Sequence, residues 1–160
     1  MAEFTGHPRP VGRVAVLVSR YNEIVTRRLL GGALACCREA GLDDDQVDVV
    51  WVPGAFELGA AAAGAASTGR YAALVALGAV IRGDTAHFDF VAGEAARGVN
   101  AVATQHGLPV GFGVLTVDSM EQAMARAGGE SGNKGYEAAE AALELAEVLR
   151  QVRESSDAQG

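Results

Sequence analysis

The chain has 160 residues, of which 49% are hydrophobic and 21% charged, and its formal net charge is −7. This composition is typical of one soluble globular domain with a sizeable core, and it argues against an intrinsically disordered chain. The few Lys and Arg residues form no run, which argues against nucleic-acid binding. No apolar segment approaches the roughly 20 residues that a membrane span needs.

The N-terminal stretch MAEFTGHPRPVGR has neither the basic head nor the apolar core of a signal peptide, so we expect a cytoplasmic protein. Cys36 and Cys37 are adjacent, and adjacent cysteines rarely pair with each other. They form neither a disulfide framework nor a CxxC motif. We therefore expect no structural metal, and we expect the pair to be one buried, small apolar residue and its neighbour, without chemistry.

Four apolar runs predict the strands of a sheet. They are RVAVLVS (13–19), VDVVWVP (47–53), AALVALGAVI (72–81) and PVGFGVLTV (109–117). These runs are nearly continuous rather than alternating, which is typical of strands that are buried on both faces of a parallel sheet. The segments between them are long enough for helical crossovers, and the predicted helices cover 22–40, 54–69 and 88–106.

The C-terminal third predicts two further helices. A short one follows the fourth run, with Asp118 or Ser119 as its N-cap, and it ends at Gly128-Gly129. A final amphipathic helix begins at Asn133 or Lys134 and runs to about Val152.

The predicted order β-α-β-α-β-α-β-α-α indicates a three-layer αβα sandwich with a central, mainly parallel four-stranded sheet of the flavodoxin-like kind. One domain should cover residues 1–160. Within it, residues 1–10 should form an extended arm, because Pro8 and Pro10 exclude a helix there. Residues 154–160 should form a frayed tail.

Residues able to bind a ligand follow each predicted strand. In open parallel sheets, ligands bind beyond the carboxyl ends of the strands. Tyr21 follows the first strand, Phe56 and Glu57 follow the second, and His87 follows the third. Two aromatic rings, a carboxylate and an imidazole at one edge suit a flat heteroaromatic ligand that carries hydroxyl groups.

The loop of Gly83, Asp84 and Thr85 has two interpretations. Its backbone N–H groups and the following helix dipole could bind an anion. The simpler interpretation of the local sequence is a capping turn in which Asp84 is the helix N-cap. In the anion-binding interpretation, the Asp84 carboxylate would repel a phosphate. His87 would lie three residues into the helix, as a general acid–base or as a structural residue.

The remaining candidates also have ordinary explanations. Glu57 begins a helix, where a carboxylate is favoured in any case. Tyr21, Phe56 and Phe112 could be core residues. Arg126 could complement the C-terminus of a helix or clamp a phosphate. Nucleotide motifs are absent from the sequence: it contains no GxxxxGK[ST], and its glycine pairs lack the spacing of a dinucleotide fingerprint.

Five blocks of the sequence together resemble the lumazine synthase family. They are RYN, VPGAFE, GAVIRGDTAHFDFV, PVGFGVLTVDSMEQAMARAG and GNKGYEAA. Their order and spacing match from about Val11 to Leu149. The resemblance implies the penultimate step of riboflavin biosynthesis, in which 5-amino-6-(D-ribitylamino)uracil condenses with 3,4-dihydroxy-2-butanone 4-phosphate, without a metal or an organic cofactor.

The resemblance also implies roles for individual residues. His87 matches the proposed proton donor, and Tyr21 matches the stacking residue, which is usually Phe or Trp, so we expect a modest change in affinity. The residues matching substrate-binding positions are Ala55, Phe56 and Glu57 for the ribityl chain, Ala79, Val80 and Ile81 for the pyrimidine edge, and Asp84, Thr85, Arg126 and Lys134 around the phosphate. Phe112 matches a residue that a neighbouring subunit supplies.

Family members assemble as pentamers, some of them as 60-subunit shells, so the resemblance implies homopentamers, with the shell favoured here, and a functional link to riboflavin synthase. An extended N-terminal arm could add a strand to a neighbour's sheet. The alternative is a non-catalytic protein on the same scaffold that binds flavin or lumazine or forms a cage. His87, Arg126 and Lys134 separate the two interpretations, because a binding protein needs neither a proton donor nor a phosphate clamp.

Overall fold

The four apolar runs form one parallel sheet, as predicted. In the computed structural model, which describes residues 1–159, the strands are β1 (Val14–Ser19), β2 (Val47–Val52), β3 (Ala73–Ile81) and β4 (Val110–Val117). Their spatial order is β2-β1-β3-β4. The central strands β1 and β3 are buried almost throughout, whereas the edge strand β2 is only partly buried. Burial on both faces explains why the central strands are continuously apolar.

Helices cover both faces of this sheet. They are α1 (Glu23–Glu39), α2 (Leu58–Ser67), α3 (His87–His106), α4 (Met120–Ala125) and α5 (Lys134–Gln159). α1 packs with α5 on one face, and α2 packs with α3 on the other. The predicted three-layer, flavodoxin-like sandwich is therefore confirmed. Within the described residues, no helix has the length and apolar character needed to cross a bilayer.

Alternate residues of the central strands feed two separate cores. Val16 and Val18 of β1 belong to the apolar cluster that contains Leu143 of α5, whereas Leu17 belongs to the cluster that contains Leu58 of α2. This is the two-residue period expected of a strand between two helical layers. Each helical layer is thus attached to the sheet by its own apolar cluster.

Three local features differ from the sequence predictions. A short antiparallel hairpin, β5 (Ala127–Gly129) and β6 (Gly132–Asn133), occupies the glycine-rich break after α4. A 3-10 turn, Ala55–Glu57, precedes α2. α5 continues to Gln159 instead of ending near Val152, and Arg150 supports this extension through an ion pair with Glu154. Of the predicted frayed tail, Gly160 lies outside the described residues.

The N-terminal arm lies along α5 of its own chain. Gln151 Nε2 donates to Thr5 O at 2.7 Å, and Arg9 lies 3.6 Å from the carboxylate of Glu147. Glu147 is 3% exposed and accepts two hydrogen bonds of 2.8 Å from Arg150. Hydrogen bonds from Arg150 and Gln151 lower the pKa of Glu147 to about 2, so the carboxylate is ionised at neutral pH.

The close approach of α1 and α5 depends on the absence of a side chain at Gly135. A Cβ there would overlap the backbone of Leu29, with its carbonyl carbon only 2.7 Å away. Neither helix can give way without disturbing the core beneath it. We therefore expect Gly135→Ala to lower the free energy of unfolding by about 1–3 kcal/mol in urea titrations at fixed protein concentration.

Gly31→Ala is the matched control, because Gly31 lies on α1 with nothing within 4 Å of an added Cβ. It should leave stability unchanged or raise it by about 0.5–1 kcal/mol, since alanine is the better helix former. Equal destabilisation by both substitutions would contradict this account of α1–α5 packing.

Candidate active site

An open cavity of about 860 Å³ lies beyond the carboxyl ends of the central strands. It is bounded by the segments that follow β1, β2 and β3 and by the first turn of α3. The predicted site residues that line it are Tyr21, Ala55, Phe56, Glu57, Ala79, Val80, Ile81, Thr85 and His87. The parallel topology thus brings together residues that are far apart in sequence.

Aromatic rings form the exposed walls of this cavity. Tyr21 is 73% exposed, Phe56 58% and Phe90 69%. The core interpretation of Tyr21 and Phe56 is therefore wrong. Exposed aromatic rings around one cavity indicate a surface that binds a flat ligand or another protein chain.

Sequence reasoning assigned no role to Phe88 and Phe90, which also line the cavity. The sequence signal that could have identified them is the aromatic pair in HFDF, which begins at the candidate histidine. Both belong to the first turn of α3, whose N-terminal end faces the cavity.

The carboxylate of Glu57 lies at the start of α2, where the N-terminal end of the helix favours negative charge. It also lies close to the backbone of the preceding turn, since a Cβ added at Gly54 would be 3.2 Å from Glu57 Oε2. Glu57 is exposed and lines the cavity. The same side chain can therefore complement the helix and accept hydrogen bonds from a bound ligand.

His87 is the first residue of α3, two positions earlier in the helix than the sequence suggested. Its backbone N–H donates to Thr85 Oγ1 at 3.3 Å. Ala86 occupies the N-cap position, so the prediction that Asp84 caps this helix is wrong. The Thr85 hydroxyl therefore accepts a hydrogen bond from the first residue of the helix. Asp84 is exposed and does not line the cavity.

Arg82 ties the loop before α3 to the neighbouring elements. Its guanidinium lies 4.3 Å from the centre of the Phe88 ring, and its Nε donates to Asp118 at 3.1 Å. Its backbone N–H donates to Val117 O at 2.8 Å. The ends of β3 and β4 and the start of α3 are therefore joined at one residue, a role that sequence reasoning did not assign.

The two candidate cations, Arg126 and Lys134, lie outside the cavity walled by Tyr21, Phe56 and Phe90, which is called the aromatic cavity below. They lie in a second, smaller cavity of about 340 Å³ beside β4. Arg126 and Lys134 line it together with Glu137. Arg126 ends α4 and donates from Nη1 to Gln122 O at 3.1 Å, which is its predicted interaction with a helix C-terminus. Lys134 begins α5, and its backbone N–H donates to Arg126 O at 2.8 Å.

Phe112 lies on β4, is 37% exposed and lines neither cavity. The interpretation of Phe112 as a fully buried core residue is therefore wrong. Asp84, Phe112, Arg126 and Lys134 are thus the predicted site residues that one chain does not bring into the aromatic cavity.

The two cysteines lie away from both cavities, in the core between the sheet and the α1/α5 layer. Burial raises the pKa of Cys36 to about 12, and the charge of the neighbouring Cys37 makes a smaller contribution in the same direction. The Cys36 thiol therefore stays protonated. Across residues 1–159, no group of three or more His, Cys, Asp or Glu side chains is arranged to hold a metal ion.

The family model described as 6,7-dimethyl-8-ribityllumazine synthase matches residues 12–150. This match covers nearly the whole chain, and the chain belongs to that family. Members of the family are transferases, and the family implies lumazine formation in riboflavin biosynthesis.

The contact between Thr85 and the start of α3 can be tested by hydrogen exchange. We expect Thr85→Val to speed exchange in peptides that contain the His87 amide, because that N–H loses its side-chain acceptor. Asp84→Ala should leave the same peptides unchanged, because Ala86 occupies the N-cap. Faster exchange in the Asp84 variant alone would restore Asp84 as the capping residue.

Proposed function

We propose that the chain condenses 5-amino-6-(D-ribitylamino)uracil with 3,4-dihydroxy-2-butanone 4-phosphate to give 6,7-dimethyl-8-ribityllumazine, phosphate and water. This is the penultimate step of riboflavin biosynthesis. The observation that carries the proposal is the aromatic cavity with His87 in its wall, in a chain whose family forms lumazine.

The pyrimidine ring would stack on Tyr21 and bind the free backbone edge of β3. Successive strand residues point their backbone groups to opposite sides. Arg82 N–H donates towards β4, so Val80 faces β4 as well, whereas Ala79 and Ile81 face the side on which β1 has ended. The exposed N–H and C=O of Ile81 are then available to the polar edge of the pyrimidine.

The ribityl chain would lie over the 3-10 turn that follows β2. Backbone N–H groups of Ala55 and Phe56 can donate to its hydroxyl groups, and the Glu57 carboxylate can accept from them. Tyr21 differs from the usual family residue, but a phenol ring still stacks, and its exposed hydroxyl can be solvated.

The butanone phosphate would lie near Thr85, with Arg126 and Lys134 supplying positive charge. A joint role for the two cations is supported because both line a single cavity at the carboxyl end of β4, next to β3 in the sheet; within one chain this cavity is separate from the one that Thr85 lines. Asp84 would stay in solvent at the rim, where its charge is screened from the phosphate.

The chemistry needs proton transfer and positioning more than a strong nucleophile. The 5-amino group attacks the ketone and water leaves to give an imine. Loss of a proton from the adjacent carbon and of phosphate then leaves an enol, which tautomerises to a second ketone. The ribityl-bearing nitrogen attacks this ketone, and loss of a second water closes the ring. Holding amine and ketone together supplies much of the rate. His87, as general acid–base, would move the protons, and cations and N–H donors would stabilise the departing phosphate. The proposed reaction uses no cofactor.

The complete site would lie between subunits of a cytoplasmic homopentamer, with Phe112 supplied by the neighbouring chain. The exposed rings of Tyr21, Phe56 and Phe90 support a subunit interface at this edge. We favour assembly of the pentamers into a 60-subunit shell, with a functional link to riboflavin synthase, which would consume the product. Light scattering or electron microscopy measures the assembly directly.

The proposal is tested by mixing purified, assembled protein with both substrates and following lumazine absorbance. Product formation supports the synthase. Binding of lumazine or flavin without product formation would instead indicate the alternative, a non-catalytic binding or cage-forming protein.

His87→Ala should lower turnover about tenfold or more while largely preserving substrate binding, because it removes the proposed general acid–base. Steady-state kinetics and calorimetric binding measure the two effects separately. His106→Ala is the matched control, since His106 is the last residue of the same helix, outside the cavity, and its loss should leave turnover unchanged. Unchanged turnover in His87→Ala would make His87 structural.

Arg126→Ala should raise KM for the butanone phosphate about tenfold, with affinity for the pyrimidine little changed, because only the former substrate carries a phosphate. Arg38→Ala, which removes an exposed arginine paired with Asp44, is the control and should alter neither value. An equal loss of affinity for both substrates would contradict the assignment of Arg126 to the phosphate.

A further inference from the structure

Asn22 has a backbone conformation that is uncommon for a residue other than glycine. Its φ is 61° and its ψ is 46°, and within residues 1–159 it is the only non-glycine residue with positive φ. Asparagine tolerates this left-handed region better than most residues. It lies between Tyr21 and α1, directly beside the aromatic cavity.

The Asn22 side chain crosses to a strand that is distant in sequence. Its Nδ2 donates to Ala79 O at 2.9 Å, which joins positions 57 residues apart. Ala79 lines the cavity and is 3% exposed. The hydrogen bond therefore connects the segment that carries the Tyr21 ring with the cavity-facing edge of β3.

The geometry of the sheet explains why this bond exists. β1 and β3 pair in register up to Val18 and Leu77. Beyond that point the chain turns towards β2, and the Tyr21 N–H donates to Pro53 O at 3.0 Å. The next backbone donor of β1 is thus directed away from β3, and the Asn22 amide takes its place at the Ala79 carbonyl.

Two consecutive residues consequently connect three strand ends. Tyr21 is joined to the end of β2 through its backbone, and Asn22 is joined to β3 through its side chain. Tyr21 as a residue is 73% exposed, so packing of its side chain contributes little to its position. Beyond the part of β1 that pairs with β3, the segment is held by the backbone bonds of Arg20 and Tyr21 to the end of β2, and its direct bond to β3 is that of Asn22 to Ala79.

We propose that Asn22 is the positioning residue for the pyrimidine site, and that its bond to Ala79 sets the distance between the Tyr21 ring and the free backbone edge at Ile81. This inference rests on the proposed function for the identity of the ligand. A flat ring that stacks on Tyr21 while hydrogen bonding to Ile81 requires both surfaces at a fixed separation.

The test uses two substitutions in the full-length, assembled protein. Asn22→Asp keeps the shape and the tolerance for positive φ but directs a carboxylate at the Ala79 carbonyl in place of a donor. Asn22→Gly keeps the backbone conformation and removes the side chain. Asn100→Asp, an equal charge change at an exposed position on α3, is the matched control.

We expect both Asn22 variants to bind 5-amino-6-(D-ribitylamino)uracil about tenfold more weakly in calorimetry, with KM for the butanone phosphate unchanged within about twofold. The control should match wild type in both. A merely structural role would lower the melting temperature without this division between substrates. Wild-type affinity in both Asn22 variants, or equal weakening for both substrates, would overturn the proposal.

Hydrogen exchange of the unliganded protein separates this inference from the proposed function. If wild type neither binds the pyrimidine nor forms lumazine, the proposed function fails, but Asn22 can still be judged. Asn22→Asp and Asn22→Gly should then speed exchange in peptides covering residues 20–25, including the Tyr21 amide bonded to Pro53. Exchange equal to wild type in these peptides would overturn the positioning role as well.

Discussion

Parallel pairing of β1 with both β2 and β3 is the constraint on which the rest of the molecule depends. The registers run through Ser19 and Val52 on one side and through Val18 and Leu77 on the other. Because the strands point the same way, all of their following loops emerge at one edge. No single loop could build the cavity, since its aromatic rings, backbone edge and histidine come from different crossovers.

The same constraint leaves an edge that the protein must complete. β1 stops before β3 does, so the last residues of β3 have β4 on one side and the cavity on the other. Asn22 takes one backbone carbonyl of this edge, and the next outward-facing residue, Ile81, stays open to the cavity. Leaving this polar backbone edge without a protein partner costs little free energy, because water can hydrogen bond to its groups when no ligand is bound. The early end of β1 therefore creates the hydrogen-bonding surface of the site.

The sequence predicted the sheet closely because burial on both faces makes the central strands continuously apolar, and each predicted strand lies within one residue of its observed bounds at either end. Strand ends in a parallel sheet then predicted that Tyr21, Glu57 and His87 would meet, as they do. The pattern could not show the bond of Asn22 to Ala79, which depends on how far β1 runs beside β3. It also misassigned Asp84, because Asp is a good N-cap in isolation and only the backbone path showed that Ala86 occupies that position.

The division of the candidate site between two cavities follows from the same sheet. Arg82 and Asp118 join the ends of β3 and β4, and their ion pair lies at the boundary between the aromatic side and the cationic side. Arg126 is on the cationic side because α4 and the β5–β6 hairpin follow β4, whereas His87 is on the aromatic side because α3 follows β3. Within one chain, the apolar and the cationic surfaces of the candidate site are therefore separate. The cations are then kept away from the exposed aromatic walls, whose apolar surface remains available for stacking and for contact with another chain.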